Sequence, residues 1–149
     1  MIYLGIAAVI FFGDLFIKNY MERTLEWGKE KECFGGFLIL RRHHNKGAFL
    51  NAGQKRSPAV AGISLLLTVL VCILFAVTLG RRGNVLLKTG LSLLLGGAFS
   101  NTYDRLKRKY VVDYFSFKVR WKPLANIIFN LSDFGIIIGA MITALNWTE

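Results

Sequence analysis

The chain has 149 residues, 54% of them hydrophobic, and a mean hydropathy of +0.45. That is too apolar for an ordinary soluble domain of this length, and it points to one membrane-embedded unit, 1–149. Nineteen Lys and Arg against nine Asp and Glu give a formal charge of +10; this suits anionic lipid head groups, since no basic-aromatic groove or zinc-finger spacing supports nucleic acid as a partner.

Segment 2–21 is apolar, with no basic residue ahead of its core and no small-residue cleavage site, so it is predicted to be a retained span and not a cleaved signal peptide. Asp14 and Lys18 interrupt its second half at i, i+4 spacing, on one helical face where they can pair. Between 22 and 57 the composition turns charged. Gly35, Gly36, Gly47 and Gly53 break the chain around the β-leaning run 37–40, and a small strand-containing extramembrane element is predicted there. Within it Cys33 lies far from the apolar Cys72 and shares no C-x-x-C spacing with it, so neither a disulfide framework nor a metal site follows. His43 and His44 are adjacent, point apart and read as polar loop residues.

Segment 58–79 carries no charge across 22 positions, enough at about 1.5 Å per residue to cross a hydrocarbon core of roughly 30 Å. After Arg81 and Arg82 a third span is predicted at 85–103, with Lys88 near its start where a long side chain snorkels. A charged loop or short helix follows at 104–123. The fourth predicted span, 124–147, holds Asn130 and Asp133 in its first third and Trp147 as an interfacial anchor. Small residues at i, i+4, i+8 (Ser92, Gly96 and Ser100 on the third span, Gly135, Gly139 and Thr143 on the fourth) allow close helix approach in lipid. The fold class is therefore mainly α and integral to the membrane, with four transmembrane helices.

An Asp near the bilayer centre costs about 2.5–3.5 kcal/mol on insertion scales, so each intramembrane acid needs a partner or a function. Asp14 has its partner in Lys18, and the two read as a structural pair. Asn101, Asp104 and Arg105 share one face where the third span ends, and Asn130 and Asp133 lie one turn apart on the fourth. Asp113, inside the apolar run 111–117, requires a hydrogen-bonding partner or a raised pKa. The end of span three and the start of span four lie on one side of the membrane, so Asp113 and Asp133 can meet there. Two acids at one site share a proton and provide a general base beside a general acid, enough to activate water for amide hydrolysis without a metal or other cofactor. From the residues alone, a polar helix-packing network and an ion path stay open as well.

Five strings decide among these. D-L-F-I-K at 14–18, N-K-G-A-F at 45–49, G-G-A-F-S-N-T-Y-D-R at 96–105, V-V-D-Y at 111–114 and F-N-L-S-D at 129–133 resemble, in order, the blocks of bacterial lipoprotein signal peptidase, signal peptidase type II. The resemblance spans nearly the whole chain. It implies an aspartyl endopeptidase that removes the signal peptide from diacylglyceryl-modified prolipoproteins, with Asp113 and Asp133 catalytic. Matched the same way, Asn45, Gly47, Asn101, Arg105 and Asn130 line the substrate site, Asp104 supports it, and Asp14 with Lys18 is structural. The charged segment after span one becomes a β-cradle over the site. The implied partners are the lipid-modified substrate and membrane lipid, around a monomer. A non-catalytic relative that binds lipopeptides is the alternative on this scaffold.

Three positions depart from the family pattern: Ser100 and Lys109 stand where glycine is usual, and Ser132 where alanine is common. All the acids are kept. The loops 22–57 and 104–123 hold fifteen of the nineteen basic residues, which by positive-inside counting puts the dyad in the cytoplasm. The resemblance implies the reverse, a multi-pass protein of the cell membrane with its site near the outer face. The first loop's four glutamates, Glu22, Glu26, Glu30 and Glu32, weaken the counting argument.

Overall fold

In the computed structural model, residues 1–48 and 57–147 are described; Phe49 of the second block and Gly53 lie outside them. Helix α1 covers Ile2–Thr24, and a hairpin of β1 (Glu30–Cys33) and β2 (Leu38–Asn45) follows. Next come α2 (Ser57–Leu79), α3 (Val85–Lys107), β3 (Val111–Phe117), the single turn α4 (Lys122–Ala125) and α5 (Leu131–Leu145). The chain is thus mainly helical, with one three-stranded antiparallel sheet in the order β1-β2-β3.

Polar and apolar residues are distributed inside out. Asp14, Lys18, Ser92, Ser100, Asp104, Asn130 and Ser132 are fully buried, whereas Leu65, Leu66, Leu67, Leu70, Ile73 and Val77 of α2 are exposed. A protein in water does the opposite; an apolar solvent makes this arrangement favourable. α1 and α2 are each long and apolar enough to cross a membrane, and α5 is a shorter apolar helix. α3 has the same 23-residue length but carries more polar groups, and it is the central helix, packed against α1, α2 and α5.

The α3–α5 contact depends on missing side chains. A Cβ on Gly139 would lie 2.4 Å from Leu94 N and 2.6 Å from Gly90 O, and one on Gly97 would lie 2.4 Å from Ser132 O. The predicted stripe on α5 therefore does face α3. The predicted stripe on α3 does not face α5: Gly96 abuts Ala7 and Ile10 of α1, and Ser100 reaches Asp14, while Gly90 and Gly97 receive α5. Gly139→Ala is expected to push α3 and α5 apart and to destabilise by about 1–3 kcal/mol, read as a lower thermal midpoint in detergent.

Three boundaries differ from the sequence reading. α3 runs past 103 to Lys107, so Asp104 and Arg105 are helical and not in a loop. Segment 104–123 contains a full strand, β3, rich in the β-branched and aromatic residues that favour a sheet (Val111, Val112, Tyr114, Phe115 and Phe117). The last helix begins at Leu131, not 124, because Phe129 pairs with Phe115 through backbone bonds of 2.7 and 3.1 Å and Asn130 is an extended N-cap. Rings of Phe115, Phe117, Phe129 and Phe134 fill the angle between β3 and α5.

Candidate active site

Asp133 is the third residue of α5 and closes a capping box: Asn130 Oδ1 accepts from Asp133 N at 2.9 Å, and Asp133 Oδ2 accepts from Asn130 N at 3.0 Å. These bonds satisfy backbone donors that a helix start leaves open. They also fix the Asn130 amide, so that its NH2 group points at Asp113 Oδ1, 2.8 Å away. One asparagine thus ties the strand acid to the helix acid.

Asp113 occupies the middle of β3, opposite His43 of β2. Its second oxygen, Oδ2, accepts from Asn45 Nδ2 at 3.1 Å, while Asn45 Oδ1 is held by Gly47 N at 3.0 Å. Asp133 Oδ1 accepts from Asn101 Nδ2 at 3.0 Å. Every carboxylate oxygen of the two acids therefore has an N–H donor. Burial pushes the Asp113 carboxyl up to about 7, and the charge of Asp133 adds to this, against the hydrogen bonds from Asn130 and Asn45 that favour the ionised form. The sequence requirement was a partner or a raised pKa; the strand acid has both.

Asp113 and Asp133 line one cavity of about 350 Å³. Asn45, Asn101 and Arg105 form its polar wall with His43 and Asn126, and Ile127, Ile128, Ile136 and Ile137 form its apolar wall. Arg105, on the cavity lining, donates from Nη2 to Gly47 O at 3.1 Å. The cavity thus brings together Asn45, Asn101, Arg105, Asp113 and Asp133, with Asn130 and Gly47 bonded directly to them. Among the described residues no three His, Cys, Asp or Glu side chains group as metal ligands.

Asp104 is separated from this set. Adjacent in sequence to Arg105 but turned away from the cavity, it pairs with Lys18 at 3.1 Å and with Arg108 at 3.0 Å, and its Oδ2 accepts from Val112 N at 3.2 Å. It anchors the strand one residue before Asp113. The Asp14–Lys18 pair forms as expected, at 2.7 Å with both side chains fully buried, but it belongs to a larger cluster. Asp14 Oδ2 accepts from Ser100 Oγ and Ser132 Oγ, each at 2.6 Å, and Asp14 Oδ1 from Tyr114 Oη at 3.0 Å and Leu131 N at 3.1 Å. Burial, followed by the Asp14 charge, drives the Tyr114 hydroxyl upward, so it stays a donor.

Sequence reading missed several of these roles. The histidines are strand residues, not loop residues. His44 stacks on Tyr110 at 3.7 Å and bonds Glu22 at 2.6 Å, pinning β2 to the end of α1. Burial, then the nearby His44 and Arg41, lowers the pKa of His43 at the cavity wall. Tyr114 follows Asp113 in the strand, so its side chain stands on the opposite face. Two of the three departures, Ser100 and Ser132, converge on one carboxylate oxygen. The third, Lys109, adopts φ +70°, a left-handed conformation costing a side-chain-bearing residue about 1–2 kcal/mol, which is why glycine suits that turn.

The family described as signal peptidase (SPase) II matches residues 6–148. A lipoprotein signal peptidase of Histophilus somni is 32% identical over 148 residues, covering 97% of this chain and 87% of that protein. One from Moorella thermoacetica is 30% identical over 127 residues, covering 85% and 79%. A bacterial membrane enzyme solved by the in meso method at 2.3 Å shares the fold, with a TM-score of 0.82 at 22% identity over 98% of this chain and 87% of that one. With the family match covering nearly the whole chain, the chain belongs to the signal peptidase II family.

Proposed function

We propose that this membrane aspartic protease cleaves the signal peptide from prolipoproteins ahead of a diacylglyceryl-modified cysteine, with Asp113 and Asp133 as its catalytic dyad. The observation that carries this is the cavity itself. Two buried carboxylates face one space, each oxygen is held by an N–H donor, and one asparagine links them. Prolipoprotein cleavage is the activity of the family to which the chain belongs. No observation favours the non-catalytic lipopeptide binder.

At neutral pH the dyad holds one proton. The ionised carboxylate takes a proton from water as the oxygen attacks the scissile carbonyl carbon, and the protonated partner donates to the carbonyl oxygen. Collapse of the tetrahedral intermediate breaks the C–N bond while the dyad returns a proton to the leaving amine. Arg105 and Asn45 supply donors for the peptide backbone on the polar wall. The isoleucine wall accommodates apolar substrate groups entering from lipid, the acyl chains remaining in the bilayer.

In this reading the domain is a single membrane unit, 1–149. α1, α2, α3 and α5 are its four spans, the sheet is a cradle at the outer face of the cell membrane, and the working form is a monomer in contact with lipid. α5, at 15 residues or about 22 Å, carries Asp133 in its first turn, at the end nearest the sheet.

The test is a gel-shift assay with purified protein and a diacylglyceryl-modified prolipoprotein. A shortened product is expected; saturable binding without product contradicts the reading. Its pH dependence follows from Asp113. Above about 7 the dyad loses its last proton and with it the general acid, so kcat/KM is expected to fall on the alkaline side of neutrality, measured from about pH 5 to 9.

A further inference from the structure

Lys18 is fully buried, and its ammonium touches four oxygens: Asp14 Oδ2 at 2.7 Å, Asp104 Oδ2 at 3.1 Å, Ser100 Oγ at 3.1 Å and Asn101 Oδ1 at 2.8 Å. The first three hold the charge in place, and the fourth leads to the cavity. An ammonium is only a donor, so the Asn101 amide must present its oxygen to Lys18 and therefore its NH2 group to Asp133 Oδ1, 3.0 Å away. Reversing that amide would set a carbonyl oxygen against a carboxylate and an NH2 group against an ammonium.

The three asparagines bonded to the dyad differ in how they are oriented. Backbone N–H groups fix Asn130 and Asn45, from Asp133 and Gly47 respectively. For Asn101 the orienting donor is a buried charge on another helix. Lys18 itself is confined because both its counter-ions are engaged elsewhere: Asp14 with Ser100, Ser132, Tyr114 and Leu131, and Asp104 with Arg108 and Val112.

We propose that Lys18 is a positioning residue of the cleavage reaction, acting through Asn101 to orient and strengthen the hydrogen bond received by Asp133. This rests on the assignment of Asp133 to the dyad. Direct contact with the ammonium would bind Asp133 in a fixed ion pair and weaken it as a base. One amide away, the charge polarises the Asn101 N–H bonds and leaves the carboxylate free to exchange a proton. Ser100 and Ser132 complete the device by donating to Asp14 and so holding the acid that holds Lys18.

A kinetic double-mutant cycle tests this. Lys18→Met combined with Asp14→Asn removes the ammonium while keeping the cluster neutral, and Lys18→Met with Asp104→Asn does so while leaving Asp14 bonded to Tyr114 and α5. Either pair, chosen by retention of lipopeptide binding, is expected to lower kcat about 10- to 100-fold with KM changed less than about threefold. In an Asn101→Ala background the same pair is expected to lower kcat by less than about threefold, because the group through which Lys18 acts is gone. Equal losses in both backgrounds would mean that Lys18 only supports the fold, and an unchanged kcat would remove it from the reaction; either result overturns the inference. Retained cleavage by Asp133→Asn would instead refute the dyad reading, so the two failures are distinguishable.

Discussion

Asp113→Asn and Asp133→Asn are each expected to lower the single-turnover rate of prolipoprotein cleavage by about 10⁴-fold or more, with lipopeptide binding retained. The magnitude follows from the arrangement around the acids. Removing either leaves one carboxylate, which can act as base or as acid but not as both in the same transition state, and members of such a unit are strongly non-additive. The neighbours worsen the outcome. Asp113 receives N–H donors on both oxygens, so an amide at 113 turns its own NH2 group against either Asn45 or Asn130. Cleavage rates of the two variants under single-turnover conditions are the check.

The second large effect concerns stability. Asp14→Ala is expected to destabilise the protein by about 3–5 kcal/mol, a large fraction of the stability of a domain this size. It deprives Lys18 of its shortest ion pair and leaves the hydroxyls of Ser100, Ser132 and Tyr114 without their shared acceptor. Asp14→Asn keeps the shape and one acceptor oxygen and is expected to lose less. Thermal unfolding of the purified proteins in detergent separates the two. The same cluster connects stability to activity, since it joins α1, α3, β3 and the first turn of α5, and so reaches the elements that carry both acids, Asn101 and Asn130.

α1 and α2, the two helices long and apolar enough to cross a membrane, were legible in the sequence because such a stretch is a composition signal, and the 22 uncharged positions of 58–79 need no tertiary context. Both acids were legible as well, since a carboxylate in an apolar run calls for an explanation. What escaped was where the chain changes from one structure to another. The run 124–130 is apolar enough to extend a span, and only its backbone pairing with Phe115 shows that the helix waits for Asn130. β3 was hidden for a similar reason, because a seven-residue segment of five apolar residues broken by Asp113 and Ser116 shows no strand alternation until a partner strand supplies hydrogen bonds.

The site was partly legible. Spacing placed Asp104 with Asn101 and Arg105, yet one helical step turns it from the cavity to Lys18. Ser100 and Ser132, visible only as departures from a pattern, are 32 positions apart, and nothing local shows that they donate to the same oxygen. Tyr114 is the same kind of case: its neighbour Asp113 drew attention, while its hydroxyl acts on the opposite face of the strand.

The central claim is that Asp113 and Asp133 together hydrolyse a lipoprotein signal peptide. Its most direct test is a side-by-side single-turnover assay of the wild-type protein, Asp113→Asn and Asp133→Asn on one diacylglyceryl-modified prolipoprotein, with binding measured in the same samples. Cleavage by the wild type alone, with binding by all three, is the predicted result; cleavage by either variant at a rate near that of the wild type would contradict the account.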